Sequence, residues 1–254
     1  MTIRKWALAG AAAICVAASA PASADVIQLG FILDRSGSIG QADWNIITSG
    51  LGTAINNIPV GGPTTYEVSV VTFSDSATAN IQRILVSDAA ARTALAASVT
   101  ALSGVYNGGQ TNYSAAFSTM QATLAVTLAG ATKSYVNFAT DGEPNAGNGN
   151  TGGIAARNNL LAAGVDNISI EGIGSGVDAA NLQSNYCAPG PCDTTVPYNF
   201  PTQGFYIGVA NAAGYAAAIG NKIQVVTQVP EPATLALFGT ALFGLGFAVR
   251  RRQS

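Results

Sequence analysis

Residues Asp34-Arg35-Ser36-Gly37-Ser38 follow an apolar run, Val26 to Leu33, broken only by Gln28 and Gly30. A short apolar run ending in a small polar loop reads as a strand buried on both faces, the kind found in parallel sheets covered by helices. The loop places one carboxylate and two hydroxyls at the strand's carboxyl end. Those are hard oxygen donors of the sort that bind Mg²⁺ or Mn²⁺. Asp34 or Ser36 alone would serve equally well as a helix cap, so the surrounding chain decides.

Downstream, helical and strand patterns alternate. Residues Asp43 to Ile58 carry Trp44, Ile47, Leu51 and Ile55 at helical spacing. Tyr66 to Phe73 reads as a strand, Asp75 to Asn80 as a polar turn, and Ile81 to Val86 as the second arm of a hairpin. Ser87-Asp88 caps a helix reaching about Leu102, and a Gly-rich loop leads to a helix from Tyr113 to Leu128. Then come a strand (Ser134 to Thr140), an Asn/Gly loop (Asp141 to Gly153), a helix (Ile154 to Ala163) and a strand (Ile168 to Ile173). A short helix over Asp178 to Tyr186, a Pro-rich insertion to Gln203, a strand (Phe205 to Val209) and a helix (Asn211 to Val226) complete the domain. The alternation predicts an α/β fold. It is a Rossmann-like, doubly wound, mostly parallel sheet with one antiparallel edge strand and helices on both faces. Ligands of such sheets bind beyond the carboxyl ends of the strands, where Asp34 and Asp141 both fall.

Three segments supply matching chemistry: Asp34, Ser36 and Ser38; Thr111 within Gly108-Gly109-Gln110-Thr111-Asn112; and Asp141 within Ala139-Thr140-Asp141-Gly142-Glu143-Pro144-Asn145. Each alone is more simply a cap or a turn. In this order and these contexts they resemble the von Willebrand factor A domain and its metal-ion-dependent adhesion site. The resemblance implies that Asp34, Ser36, Ser38 and Thr111 touch a divalent cation, that Asp141 acts through water, and that Gly37 and Gly142 permit a tight loop backbone. Mg²⁺ is the first expectation for the ion, with Mn²⁺ and Ca²⁺ as alternatives. Neutral hydroxyl donors leave much of the ion's charge for an acidic group of a partner, either a protein or an acidic polysaccharide. Glu143 reads as a solvated charge at the rim. Gly172-Ile173-Gly174-Ser175-Gly176 lacks the lysine and spacing of a phosphate loop and reads as a strand-end turn.

The two ends read as addresses. Arg4-Lys5, the apolar run Trp6 to Ala18 and Ala22-Ser23-Ala24 form a signal peptide over residues 1–24. At the other end Val229-Pro230-Glu231-Pro232 precedes a 17-residue apolar run, 233–249, and then Arg250-Arg251-Arg252. That run is at the short end of what crosses a bilayer, roughly 17–25 residues. The arginines would stay cytoplasmic. Residues 229–254 resemble the PEP-CTERM sorting signal of Gram-negative bacteria. The resemblance implies transient anchoring in the inner membrane, removal of the tail by an exosortase-type protease, and delivery to the cell surface or extracellular matrix.

Between these signals, residues 25–228 are long enough for one α/β domain. They keep six of the 11 Lys and Arg and 12 of the 13 acids, a net charge of −6, which disfavours nucleic acid. The chain has no histidine, which removes histidine triads and histidine bases and argues against an enzyme. Cys187 and Cys192 flank Ala-Pro-Gly-Pro; in an exported protein they read as a disulfide in preference to a zinc site. The expected function is metal-dependent binding outside the cell. A structural matrix protein with an incidental metal site is the alternative.

Overall fold

A computed structural model of the chain describes residues 25–227. The expected leader (1–24), sorting segment (229–254) and apolar span (233–249) lie outside the described residues. Among the described residues no helix is long and apolar enough to cross a membrane. The strands are β1 (Asp25–Asp34), β2 (Thr64–Phe73), β3 (Ala77–Val86), β4 (Lys133–Thr140), β5 (Asn167–Ile173) and β6 (Tyr206–Val209). The helices are α1 (Gly40–Ile55), α2 (Ala89–Thr100), α3 (Tyr113–Leu124), α4 (Gly149–Ala162), the single turn α5 (Ala179–Asn181) and α6 (Ala212–Thr227).

These strands form one sheet in the order β3-β2-β1-β4-β5-β6, parallel except for the β2–β3 pair. The doubly wound sheet with an antiparallel edge strand is therefore as the sequence predicts. Along β1 successive side chains enter opposite cores. Leu29, Phe31 and Leu33 pack with Trp44 and Leu51 of α1 and Ile219 and Ile223 of α6. Ile32, from the other face, packs with Phe138, with Phe117 and Met120 of α3 and with Leu160 of α4. Burial on both faces explains why the run from Val26 to Leu33 is apolar apart from Gln28 and Gly30. Gln28 is tolerated because its amide donates to Glu67 Oε1 (3.1 Å) and Thr127 Oγ1 (2.8 Å).

Several boundaries differ from the sequence pattern. Helix α1 runs three residues earlier at each end than Asp43 to Ile58. The hairpin turn is Ser74–Ser76, closed by the Ser74 N–H donating to Ser76 O (2.9 Å). The polar residues Thr78 and Asn80, read as turn, belong to the edge strand, where one side of the ladder is open to water. Helix α3 stops at Leu124, before Leu128. Beyond it Thr127 is drawn to the sheet, donating to Glu67 Oε1 at 2.6 Å. Helix α4 starts at Gly149, five residues early. Its glycines serve packing: a Cβ at Gly153 would lie 2.5 Å from Tyr186 Oη and 2.8 Å from Tyr113 Cβ.

Cys187 and Cys192 are disulfide-bonded, closing the short loop that follows the π-helical turn Leu182–Tyr186. Non-reducing mass spectrometry of the purified protein should give one peptide pair linked through these two sulfurs. Two alkylatable thiols would contradict it.

Candidate metal centre

Strand β1 has β2 on one side and β4 on the other. The chain winds outward from this pair in both directions, so the loops leaving β1 and β4 diverge and open a crevice. Asp34 ends β1 and Asp141 follows β4, and the crevice brings their loops together. The Ser38 hydroxyl donates to Asp141 Oδ1 at 2.7 Å, and the Ser36 and Ser38 hydroxyl oxygens are 3.2 Å apart. The Ser36 N–H donates to Asp34 Oδ1 at 2.8 Å, curling the loop back over the strand end. Neither Asp34 nor Ser36 caps α1, whose first turn has no side-chain cap.

The third segment is tied to both others. Thr111 N–H donates to Asn145 Oδ1 (2.8 Å), and Thr111 O accepts from the N–H groups of Asn145 (3.0 Å) and Ala146 (3.2 Å). Asn112, not Thr111, caps α3, accepting from Ala115 N–H at 3.0 Å. Among the described residues the Thr111 hydroxyl takes part in no hydrogen bond, and it is not sealed in the core but opens onto the crevice, while Thr111 as a whole is 4% exposed. A Cβ placed on Gly142 would lie 3.6 Å from Ser38 Oγ and 3.8 Å from Thr111 Oγ1, so both hydroxyls border the same gap.

Glycine enters this site differently from the expectation for Gly37 and Gly142. Neither has a positive φ; Gly109 does, at +98°. A Cβ on Gly109 would fall 2.3 Å from Asp75 Oδ2, while Gly109 O accepts the Gly37 N–H at 2.9 Å. Gly37 matters through closeness, since its Cβ would be 3.3 Å from Gly109 O. Gly142 has ordinary room beside the two hydroxyls. Gly174, at φ +75°, ends β5 in the expected turn, and Glu143 is exposed.

Four supporting residues were not singled out by sequence reasoning. Thr140 donates to Asp34 Oδ2 at 2.6 Å and so orients the buried carboxylate. The Tyr113 hydroxyl bridges Gly142 O (2.5 Å) and Thr140 Oγ1 (3.1 Å). Asp75 Oδ1 accepts the Gln110 N–H at 2.9 Å and, with Asn145, fixes the loop carrying Thr111. Thr140 and Asn145 lie inside the quoted Asp141 segment, so their adjacency to an acid was the available signal; Asp75 and Tyr113 carried none.

Electrostatically the crevice favours a cation. Asp34 is 1% exposed, and burial pushes its carboxyl up to about 6 despite hydrogen bonds from Ser36 and Thr140. Burial also raises Asp141, against the hydrogen bond from Ser38. Two carboxyls that cost free energy to ionise without a counter-charge, together with an unpartnered hydroxyl, suit a hard divalent ion. Arg35 does not supply that charge. Its guanidinium is turned away to Val105 O. Among the described residues no three Asp, Glu, Cys or His side chains cluster, so hydroxyls must provide most donors. These residues fit Mg²⁺ or Mn²⁺ and lack soft ligands.

Comparison with known proteins agrees with this architecture. Among curated proteins none matches the chain. Among solved structures, proximal thread matrix protein 1 from the mussel byssus, with a zinc-occupied MIDAS motif, aligns with TM-score 0.55 and 16% identity over 81% of this chain. The chain covers 46% of the mussel protein, about half its length. Manganese-loaded TRAP protein of Plasmodium vivax aligns with TM-score 0.56 and 25% identity, covering 79% of this chain and 74% of that one. A mutant of the PilB minor pilin of Streptococcus sanguinis gives TM-score 0.61 and 15% identity, covering 80% and 62%. Residues 228–252 match the PEP-CTERM protein-sorting motif. Residues 28–203 match the von Willebrand factor type A domain, and with the sheet order and the three converging loops the chain belongs to that family.

Proposed function

We propose that this is an exported, surface- or matrix-sorted adhesion module that binds an acidic partner through one divalent cation. The observation that carries the proposal is the meeting of Asp34, Ser36, Ser38, Thr111 and Asp141 at the β1/β4 switch point. The bound ion would offer a Lewis-acidic position to a carboxylate of a protein or acidic polysaccharide. Asp34 and Asp141 would supply the anionic donors and the three hydroxyls the neutral ones. Thr140 would hold Asp34 in place, and Asn145 would hold Thr111. Mg²⁺ is the proposed ion; the manganese- and zinc-loaded structures of relatives keep Mn²⁺ as an alternative and add Zn²⁺.

The proposed organisation is a signal peptide over 1–24, the folded domain over 25–228, and a sorting tail over 229–254 with a membrane helix at 233–249. Pro230, Glu231 and Pro232, with Arg250, Arg251 and Arg252, would be read by an exosortase-type protease. Binding in place of catalysis is supported by a chain without histidine.

A structural role in an exopolysaccharide or biofilm matrix is the second reading, favoured by the mussel relative's description as a matrix protein. Retention of the protein in the extracellular matrix separates the two. The adhesion reading expects both EDTA and Asp34→Ala to release the protein to the medium. Should Asp34→Ala be retained like wild type while deletion of 229–254 abolishes retention, the structural reading replaces it.

A further inference from the structure

Away from the metal centre, a buried ion pair between α6 and β5 and a buried carboxamide on β4 lie in one region of the core. Lys222 of α6, 3% exposed, places its ammonium 2.7 Å from Glu171 Oε1 of β5, which is fully buried. Asn137 of β4 is 5% exposed. The β4–β5 register pairs Asn137 with Ser169 and Ala139 with Glu171, so Asn137 and Glu171 are diagonal neighbours on one sheet face. Asn137 and Lys222 line one small cavity together with Tyr135 and Phe200. The ring of Phe205 lies 4.9 Å from Lys222 Nζ. The Asn137 carboxamide leans on the Glu171 carboxylate, whose ionised form it favours, yet neither of its polar atoms makes a well-formed hydrogen bond. Buried amides are rarely left so, and a buried ion pair offers little stability over apolar packing. The cluster therefore has the composition of a reaction centre more than that of a structural bridge.

We infer that Lys222 and Asn137 form an intramolecular isopeptide bond, with Glu171 as the proton-transfer group. Glu171 takes a proton from the Lys222 ammonium, giving a neutral amine and a neutral carboxylic acid. The amine nitrogen attacks Asn137 Cγ, while the acid hydrogen-bonds to the amide oxygen and stabilises the tetrahedral intermediate. The Cγ–Nδ2 bond breaks, Glu171 relays the proton, and ammonia leaves. One C–N bond forms, one breaks, and no oxidant or reductant is needed. Burial lowers the Lys222 pKa and raises that of Glu171, which favours the neutral pair that the attack requires. Holding amine and amide in one water-poor cavity replaces a bimolecular encounter by a positioned one. The bond would tie α6 to β4 next to the central strand.

Tryptic peptide mapping of the reduced, denatured full-length protein tests this. The expected product joins the Ser134–Arg157 peptide to the peptide containing Lys222, lighter than their sum by one ammonia, with no cleavage after Lys222. Glu171→Gln, close in shape to the native residue, should return both peptides unlinked. Unlinked, unmodified peptides from the wild type overturn the proposal whatever the variant does, and a cross-link that persists in Glu171→Gln overturns the part given to Glu171.

Discussion

In EDTA at pH 8, Asp34→Asn should be more stable than wild type by about 1–3 kcal/mol, and in saturating Mg²⁺ the order should reverse. Asp34 is buried at the end of β1, and its pKa rises from 3.8 to about 6 because burial disfavours the charged form. A carboxyl whose folded pKa is raised destabilises the fold when ionised. The cost is fully present above about pH 6 and disappears below the unfolded value near 4. A rise of this size corresponds to about 3 kcal/mol at most. Weaker hydrogen bonds from Ser36 N–H and the Thr140 hydroxyl in the variant offset part of the gain. With metal present, a native-state ligand at a thousandfold excess over Kd stabilises wild type by about 4.1 kcal/mol, more than the whole of that gain, and the variant far less. Denaturant titrations at pH 8 and pH 4, with and without Mg²⁺, read all four corners. A variant less stable than wild type in EDTA at pH 8 would make Asp34 a structural hydrogen-bond acceptor instead of a cation donor.

Phe138→Ala should cost about 3–5 kcal/mol, the usual range for a large aromatic removed from a close-packed core. Phe138 is fully buried on β4, two residues before Thr140. Its ring lies 4.8 Å from Tyr113, 4.9 Å from Phe117 and 5.9 Å from Phe73 between centroids. Tyr113 meets it edge-on and carries the hydroxyl that joins Thr140 to the Asp141 loop. The cavity should therefore loosen the Asp34 support as well. Metal affinity should fall several-fold, less than in Asp34→Asn, and Phe138→Leu should recover much of both. A loss below about 1 kcal/mol in chemical denaturation would show that the aromatic cluster collapses to fill the space.

The parallel strands were legible because a strand buried on both faces is mostly apolar, as β1 is from Val26 to Leu33 apart from Gln28 and Gly30 and as β4 is around Tyr135, Val136, Phe138 and Ala139. The ligand candidates were legible because Asp34 and Asp141 stand just past such runs. Polar edges and glycine-rich starts were not. Thr78 and Asn80 sit on an edge strand that is only partly buried, and the glycine at 153 inside α4 reflects the close approach of Tyr113 and Tyr186, which a sequence pattern cannot show. The supports of the site were also hidden. Thr140 reaches Asp34 across 106 residues, which needs β1 and β4 to be neighbours, and Asn145 reaches Thr111 across 34, which needs the loop before α3 to meet the loop after β4.

Calorimetric titration of Mg²⁺ or Mn²⁺ into chelator-treated, dialysed protein tests the metal centre most directly. The expected result is one ion bound per chain, with binding lost in Asp34→Ala and sharply weakened in Thr111→Ala. An absence of binding, or equal binding in wild type and both variants, would contradict a cation site at the β1/β4 switch point.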